Sequence, residues 1–97
     1  MDIERINQGS ARILKLNGRL DTLTAPQLDA QTEKLYGVTD LVLDFADVAY
    51  ISSAGLRVLL KAQKVMNRQG SMKLIHVNEE VAEVFDITGF SDILTVE

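Results

Sequence analysis

The stretch "DLVLDFADVAYISSAGLRVLLKAQKVMNRQGSMKLIHV", Asp40 to Val77, decides the fold. Its opening "DLVLDF" is a short, nearly continuous apolar run with β-branched content, which predicts a strand buried on both faces in the middle of a sheet. The following "SSAGLRVLLKAQKVMNRQG" predicts a helix ending near Gly70, and "SMKLIHV" returns to a strand that includes His76. Strand, helix and strand form a βαβ unit, so the two strands are expected to be parallel and joined by a right-handed crossover.

Upstream, "MDIERI" and "ARILKLNG" place Ile3, Ile13, Leu14 and Leu16 in strand-length patterns separated by the turn-prone "NQGS", which predicts a strand pair. In "LTAPQLDAQTEKLYG" the only proline, Pro26, sits where a helix begins. Thr24 is expected to cap this helix, Gln27 to complete a capping box, and Gly37 to supply the stop, giving a helix from about Ala25 to Tyr36. Downstream, "NEEVAEVFDITG" offers Asn78 as a cap and glutamates in the first turn, predicting a third helix that runs to Gly89. The closing "SDILTV" is expected to be a last short strand or extended segment. Together these elements predict an α/β fold: one domain, residues 1–97, with helices packed on a mixed β-sheet around the central βαβ unit.

Composition narrows the function classes. A chain of 97 residues, 46% hydrophobic and 25% charged, suits one folded core and is too apolar for disorder. No cysteine is present, so disulfides, thiolate metal sites and thiol nucleophiles are excluded and the cytoplasm is the expected compartment. The N-terminus lacks the basic start and apolar run of a secretory signal. The most apolar region, "LVLDFADVAYI", is interrupted by Asp44 and Asp47 and is far shorter than the roughly 20 residues of a membrane span. A formal net charge of −4 opposes tracking of a phosphate backbone, so no direct nucleic-acid partner is expected.

At about 100° per residue from Ser53, Val58, Leu59, Ala62, Val65 and Met66 share one arc, the face expected to meet the sheet. Arg57, Lys61, Lys64 and Arg68 fall in a band about 20–80° from Ser53. That basic stripe fits a solvated face or a surface for a partner. Leu56 and Leu60, at about 300° and 340°, lie away from the buried arc and are expected to be partly exposed. They are either covered by neighbouring elements or, beside a hydroxyl at a helix start, part of a docking surface.

Ser52 or Ser53 can act as the helix N-cap. A phosphate on Ser53 is also tolerable, because first-turn amides and the helix dipole favour an anion there. The same charge would make Leu56 and Leu60 costly to desolvate and would repel an acidic partner. Catalysis is poorly supported. There is no G-x-S-x-G nucleophile elbow, and His76 is the one histidine. Asp44 and Asp47 are expected at a strand end, Glu79 and Glu80 are explained by the helix dipole, and no metal-ligand spacing stands out. The chain is thus expected to be no enzyme and to need no cofactor.

Three motifs in order resemble the STAS domain, the family named for sulfate transporters and anti-sigma factor antagonists. "NGRLDTLTAPQL" resembles its G-x-L-D segment, "LVLDFADVAYISSAGLRVLL" its strand-loop-helix signature, and "VFDITGF" its late helix-to-turn motif. In the bacterial antagonists, the resemblance implies, a serine at the start of the second helix is phosphorylated by an anti-sigma factor that is also a serine kinase. The unphosphorylated antagonist binds that factor and frees the sigma factor, and a serine phosphatase resets the switch. Aligned on Gly55-Leu56, the family pattern D-S-[ST]-G-L makes Ser53 the phosphoacceptor, with Ser52 the alternative. Asp21, from G-x-L-D, would lie near that helix start and help to orient the kinase.

Two departures follow. Ser52 stands where phosphorylated members often carry aspartate, replacing a charged acceptor by a neutral hydroxyl. The chain stops at Glu97, where many members continue into a final helix, so a trimmed fold with one face less covered is expected. The resulting reading is a cytoplasmic anti-sigma factor antagonist whose partner-facing residues are Asp21, Ser52, Ser53, Leu56, Arg57, Leu60 and Lys64. The alternative is a non-phosphorylated STAS adaptor subunit of a lipid-transport ATPase complex or signalling scaffold.

Overall fold

A computed structural model describes residues 1–97. In chain order it contains β1 (Asp2–Gln8), β2 (Ala11–Leu20), α1 (Ala25–Thr32), β3 (Asp40–Ile51), α2 (Ser53–Gln69), β4 (Ser71–Ile75), α3 (Glu79–Thr88) and a 3-10 turn at Phe90–Asp92. The sheet order is β1-β2-β3-β4. β1 and β2 are antiparallel, as the strand pair predicts, while β2, β3 and β4 run parallel. With strands in sequential order, crossovers of one hand place α1 and α2 over the same face.

The side chains show the consequence. Leu41, Leu43 and Phe45 of β3 are buried, whereas Val42 and Asp44 are half-buried and Ala46 is exposed. β3 is therefore an interior strand buried on one face, and the expectation of burial on both is corrected. Leu14, Leu16, Leu43, Phe45, Leu74, Leu59, Met66 and Phe85 belong to one core of 22 residues. Phe45 and Phe85 place their ring centroids 6.4 Å apart, which fixes α3 on the same face.

β3 also runs past the predicted "DLVLDF" to Ile51, so Asp44 and Asp47 lie within it and not at its end. Against β2 its register shifts twice, between Lys15 and Asn17 and between Gly18 and Arg19. Each bulge inserts a β3 residue, so the buried positions run 41, 43, 45, 48, 51 and break the period of two. Asp44 Oδ1 accepts from the Ala46 amide at the first bulge, 3.0 Å away, and meets His76 Nδ1 at 3.0 Å. Burial alone would raise the Asp44 pKa, but the Ala46 amide, His76 and Lys15 together hold it below the usual value. His76 itself is an exposed residue just beyond β4, with φ +59°, rather than part of the strand.

α1 stops at Thr32, short of the predicted Tyr36. The chain beyond it is held by side chains from other elements: Arg12 donates to Lys34 O, and Gln69 Nε2 donates to Leu35 O and Val38 O. Gly37 is still needed, at φ +78°, but in the turn that follows. The predicted Thr24–Gln27 capping box does not form, because the Thr24 hydroxyl donates to Arg19 O and accepts from the Asp21 amide.

Gly70 closes α2 for a packing reason. Its φ of 172° is ordinary extended backbone, but a Cβ there would lie 1.9 Å from Thr39 O. Gly89, by contrast, ends α3 in the left-handed conformation at φ +80°. The tail forms a single parallel bridge from Val96 to Leu74, extending the β4 edge. No helix is long and apolar enough to cross a membrane.

Candidate functional site

The start of α2 is built from the ends of two neighbouring strands. β3 ends at Ile51, and the Ser52 amide donates to Leu20 O at 2.9 Å, tying the helix start to the last residue of β2. A Cβ on Gly55 would lie 2.7 Å from Leu20 Cγ and 2.9 Å from Ile51 Cγ1, so only glycine lets the first turn sit this close to both strands. The glycine before Leu56 is thus a close-packing requirement at the site.

The two serines have different fates. Ser52 occupies the N-cap position with extended backbone, yet its side chain makes no capping bond. Its Oγ is shut off from solvent and has no hydrogen-bond partner. Ser53, the first helical residue, is exposed. The sequence offers either serine as a cap; in the structure neither serves, and the first-turn amides of α2 have no side-chain acceptor.

Asp21 follows directly after Leu20, whose carbonyl accepts from the Ser52 amide. Its Oδ1 accepts from the Leu23 and Thr24 amides at 3.0 and 3.1 Å, and Arg19 Nε lies 3.7 Å from Oδ2. Partial burial pushes its pKa up, but the Thr24 and Leu23 amides, the Thr24 hydroxyl and Arg19 outweigh this and hold the carboxyl below its usual value. Asp21 therefore clamps its own loop, presenting Leu23, which is 86% exposed.

Along α2, Arg57, Lys61, Lys64 and Arg68 are all exposed, as the periodicity predicts. Lys61 pairs with Asp29 of α1 at 3.0 Å. Leu60 and Val65 are half-buried, and with the four basic residues they line a shallow groove of about 400 Å³. Val65 packs against the core, as its place in the arc predicts, and its remaining surface lines the groove. Leu56, expected to be partly exposed, is 6% exposed and part of the core, so the covered alternative holds for it. It supports the site from beneath rather than facing a partner.

Two residues absent from the sequence-based site lie beside it. Arg19 pairs with Tyr50 across the β2–β3 register, and its guanidinium lies 4.3 Å from the ring centroid, a cation–π contact on the surface. Only the β3 bulges bring these two into register, so no sequence period could have revealed the pair. No three metal-ligating side chains converge anywhere in the chain.

Known proteins resemble this chain in sequence and in fold. BtrV of Bordetella bronchiseptica, a candidate anti-sigma factor antagonist, is 42% identical over 86 residues, covering 84% of this chain and 72% of that protein. The anti-sigma-B factor antagonist of Staphylococcus epidermidis is 29% identical over 99 residues, covering 99% of this chain and 92% of the other. The Bacillus cell fate determinant SpoIIAA, solved in its phosphorylated form, superposes with a TM-score of 0.76 at 17% identity, covering 99% of this chain and 91% of that one. The STAS domain family matches residues 2–97, all but the first residue, and with the α2 start built as described the chain belongs to that family.

Proposed function

We propose that this chain is an anti-sigma factor antagonist, a binding protein that regulates transcription through a serine switch. Unphosphorylated, it binds a kinase-type anti-sigma factor through Ser53, Arg57, Leu60, Lys64 and the Asp21 loop. Phosphorylated on Ser53 by that factor, it is released, and a serine phosphatase restores it. The relatives named as antagonists support the role. The observation that carries the switch is the exposed Ser53 at an uncapped helix start, beside a sealed Ser52.

The chemistry follows from that arrangement. Ser53 Oγ is the acceptor a kinase can reach, whereas the Ser52 hydroxyl would have to leave its buried position first. The product phosphate adds about −1.5 to −2 charge at amides that have no other side-chain acceptor, so the fold absorbs it. A partner that had docked over Leu60 then meets a strongly hydrated anion in its interface, and the complex weakens.

The test is mass analysis after incubation with Mg-ATP and the kinase-type anti-sigma factor from the same genome. Wild type and Ser52→Ala gain one phosphate, and Ser53→Ala gains none. A phosphate kept by Ser53→Ala and lost from Ser52→Ala would overturn the assignment. In calorimetry Ser53→Asp weakens binding of the factor while its circular dichroism stays that of wild type; equal affinities would count against the electrostatic switch.

A further inference from the structure

α2 contains no acidic residue, and its exposed face carries Arg57, Lys61, Lys64 and Arg68. α3 contains no basic residue, and its exposed face carries Glu79, Glu80, Glu83 and Asp86. Both helices belong to a chain with a formal net charge of only −4, so opposite charges are segregated onto separate helices. Each charged face also has an apolar element. On α2, Leu60 and Val65 line the groove of about 400 Å³. On α3, Ile87 is 77% exposed, a large apolar side chain left in solvent at the C-terminal end of the acidic face.

The two faces match in extent. On α3, Glu79, Glu80, Glu83, Asp86 and Ile87 fall within an arc of about 120°, and on α2 the groove residues fall within about 140°. Within the chain none of Glu79, Glu80, Glu83 and Asp86 is in an ion pair, and none of Arg57, Lys64 and Arg68 is.

We propose that the α2 groove of one copy receives the α3 face of a second copy. Ile87 enters between Leu60 and Val65 while Glu83, one turn before it, meets the lysines and arginines of the groove wall. In head-to-tail form, without reciprocal closure about a two-fold axis, the contact leaves a free groove at one end and a free α3 at the other. Growth into short open chains follows, together with strong salt sensitivity. Self-association would cover Arg57, Leu60 and Lys64, so a copy held in a chain would be withheld from any partner that uses those residues.

Sedimentation equilibrium of the full chain tests this without any other protein. In about 0.05 M salt the weight-average mass rises with concentration from the monomer's 10.7 kDa past twice that value, and in about 0.5 M salt it returns towards the monomer. Lys64→Glu/Arg68→Glu, with the groove reversed, and Glu83→Gln/Ile87→Ser, with the α3 face neutralised, each stay monomeric. All four residues are exposed, and unchanged circular dichroism confirms that each variant is folded. Mixed, the two variants form a one-to-one heterodimer that grows no further, because only one intact groove and one intact α3 face are present. Wild type that stays monomeric at low salt overturns the proposal, as does self-association of either variant equal to that of wild type.

Discussion

α2 and α3 begin in opposite ways. At α3, Asn78 Oδ1 accepts from the Val81 amide at 2.8 Å, and Asn78 Nδ2 donates to Val48 O at 2.9 Å. One side chain thereby closes the helix start and ties it to β3. At α2 the equivalent position is Ser52, which makes no capping bond and leaves the first-turn amides without a side-chain acceptor. What holds α2 in place is contact: Gly55 against Leu20 and Ile51, and the Ser52 amide on Leu20 O. One helix start is closed by hydrogen bonds for stability. The other is fixed by packing and left open to an anion or a partner.

That contrast predicts an order of mutational effects. Gly55→Ala is the most severe, because its Cβ would overlap Leu20 and Ile51; a loss of about 1–3 kcal/mol is expected in urea unfolding, as for an overpacked core. A value near zero would mean that close packing does not position α2. Asn78→Ala follows, removing a cap and leaving Val48 O without its donor, with about 1–2 kcal/mol expected from the same measurement. Were Asn78→Ala silent, the two helix starts would not differ in the way described.

Ser52→Ala should change stability by less than about 0.5 kcal/mol, or raise it, since the buried hydroxyl it removes has no partner to lose. A loss as large as that of Asn78→Ala would show that Ser52 is a working cap after all. The smallest effect belongs to the Asp21 loop and depends on pH. The folded Asp21 carboxyl titrates below the ordinary 3.8, so the unfolded chain takes up its proton first. The clamp therefore stabilises the fold above that pH and is lost as pH falls through the lower folded value. NMR of the Leu23 and Thr24 amides should show their protection fall over that acidic range in wild type and stay flat in Asp21→Asn; parallel curves would remove Asp21 as the clamp.

Legibility followed the range of the interaction. Asn78, Gly89 and the basic face of α2 were readable because caps, left-handed stops and helical period are local. Ser53 was readable as a residue at a helix start for the same reason, though not as the exposed one of the pair. Leu56 was expected to be partly exposed because helical period carries no information on which distant elements cover a flank. The second half of β3 was missed because its bulges break the alternation that identifies a strand, and with it went the Arg19–Tyr50 pair.

The sequence alone determined the order of elements, the parallel βαβ unit and the place of the two serines, all set by periodicity, turn chemistry and the short reach of helix-terminal hydrogen bonds. Tertiary structure decided which serine is sealed and which is open, which sheet face is covered, and that Asp21 is spent on its own loop. Those outcomes depend on where neighbouring strands end and how closely Gly55 lets α2 approach them, distances that no local pattern encodes.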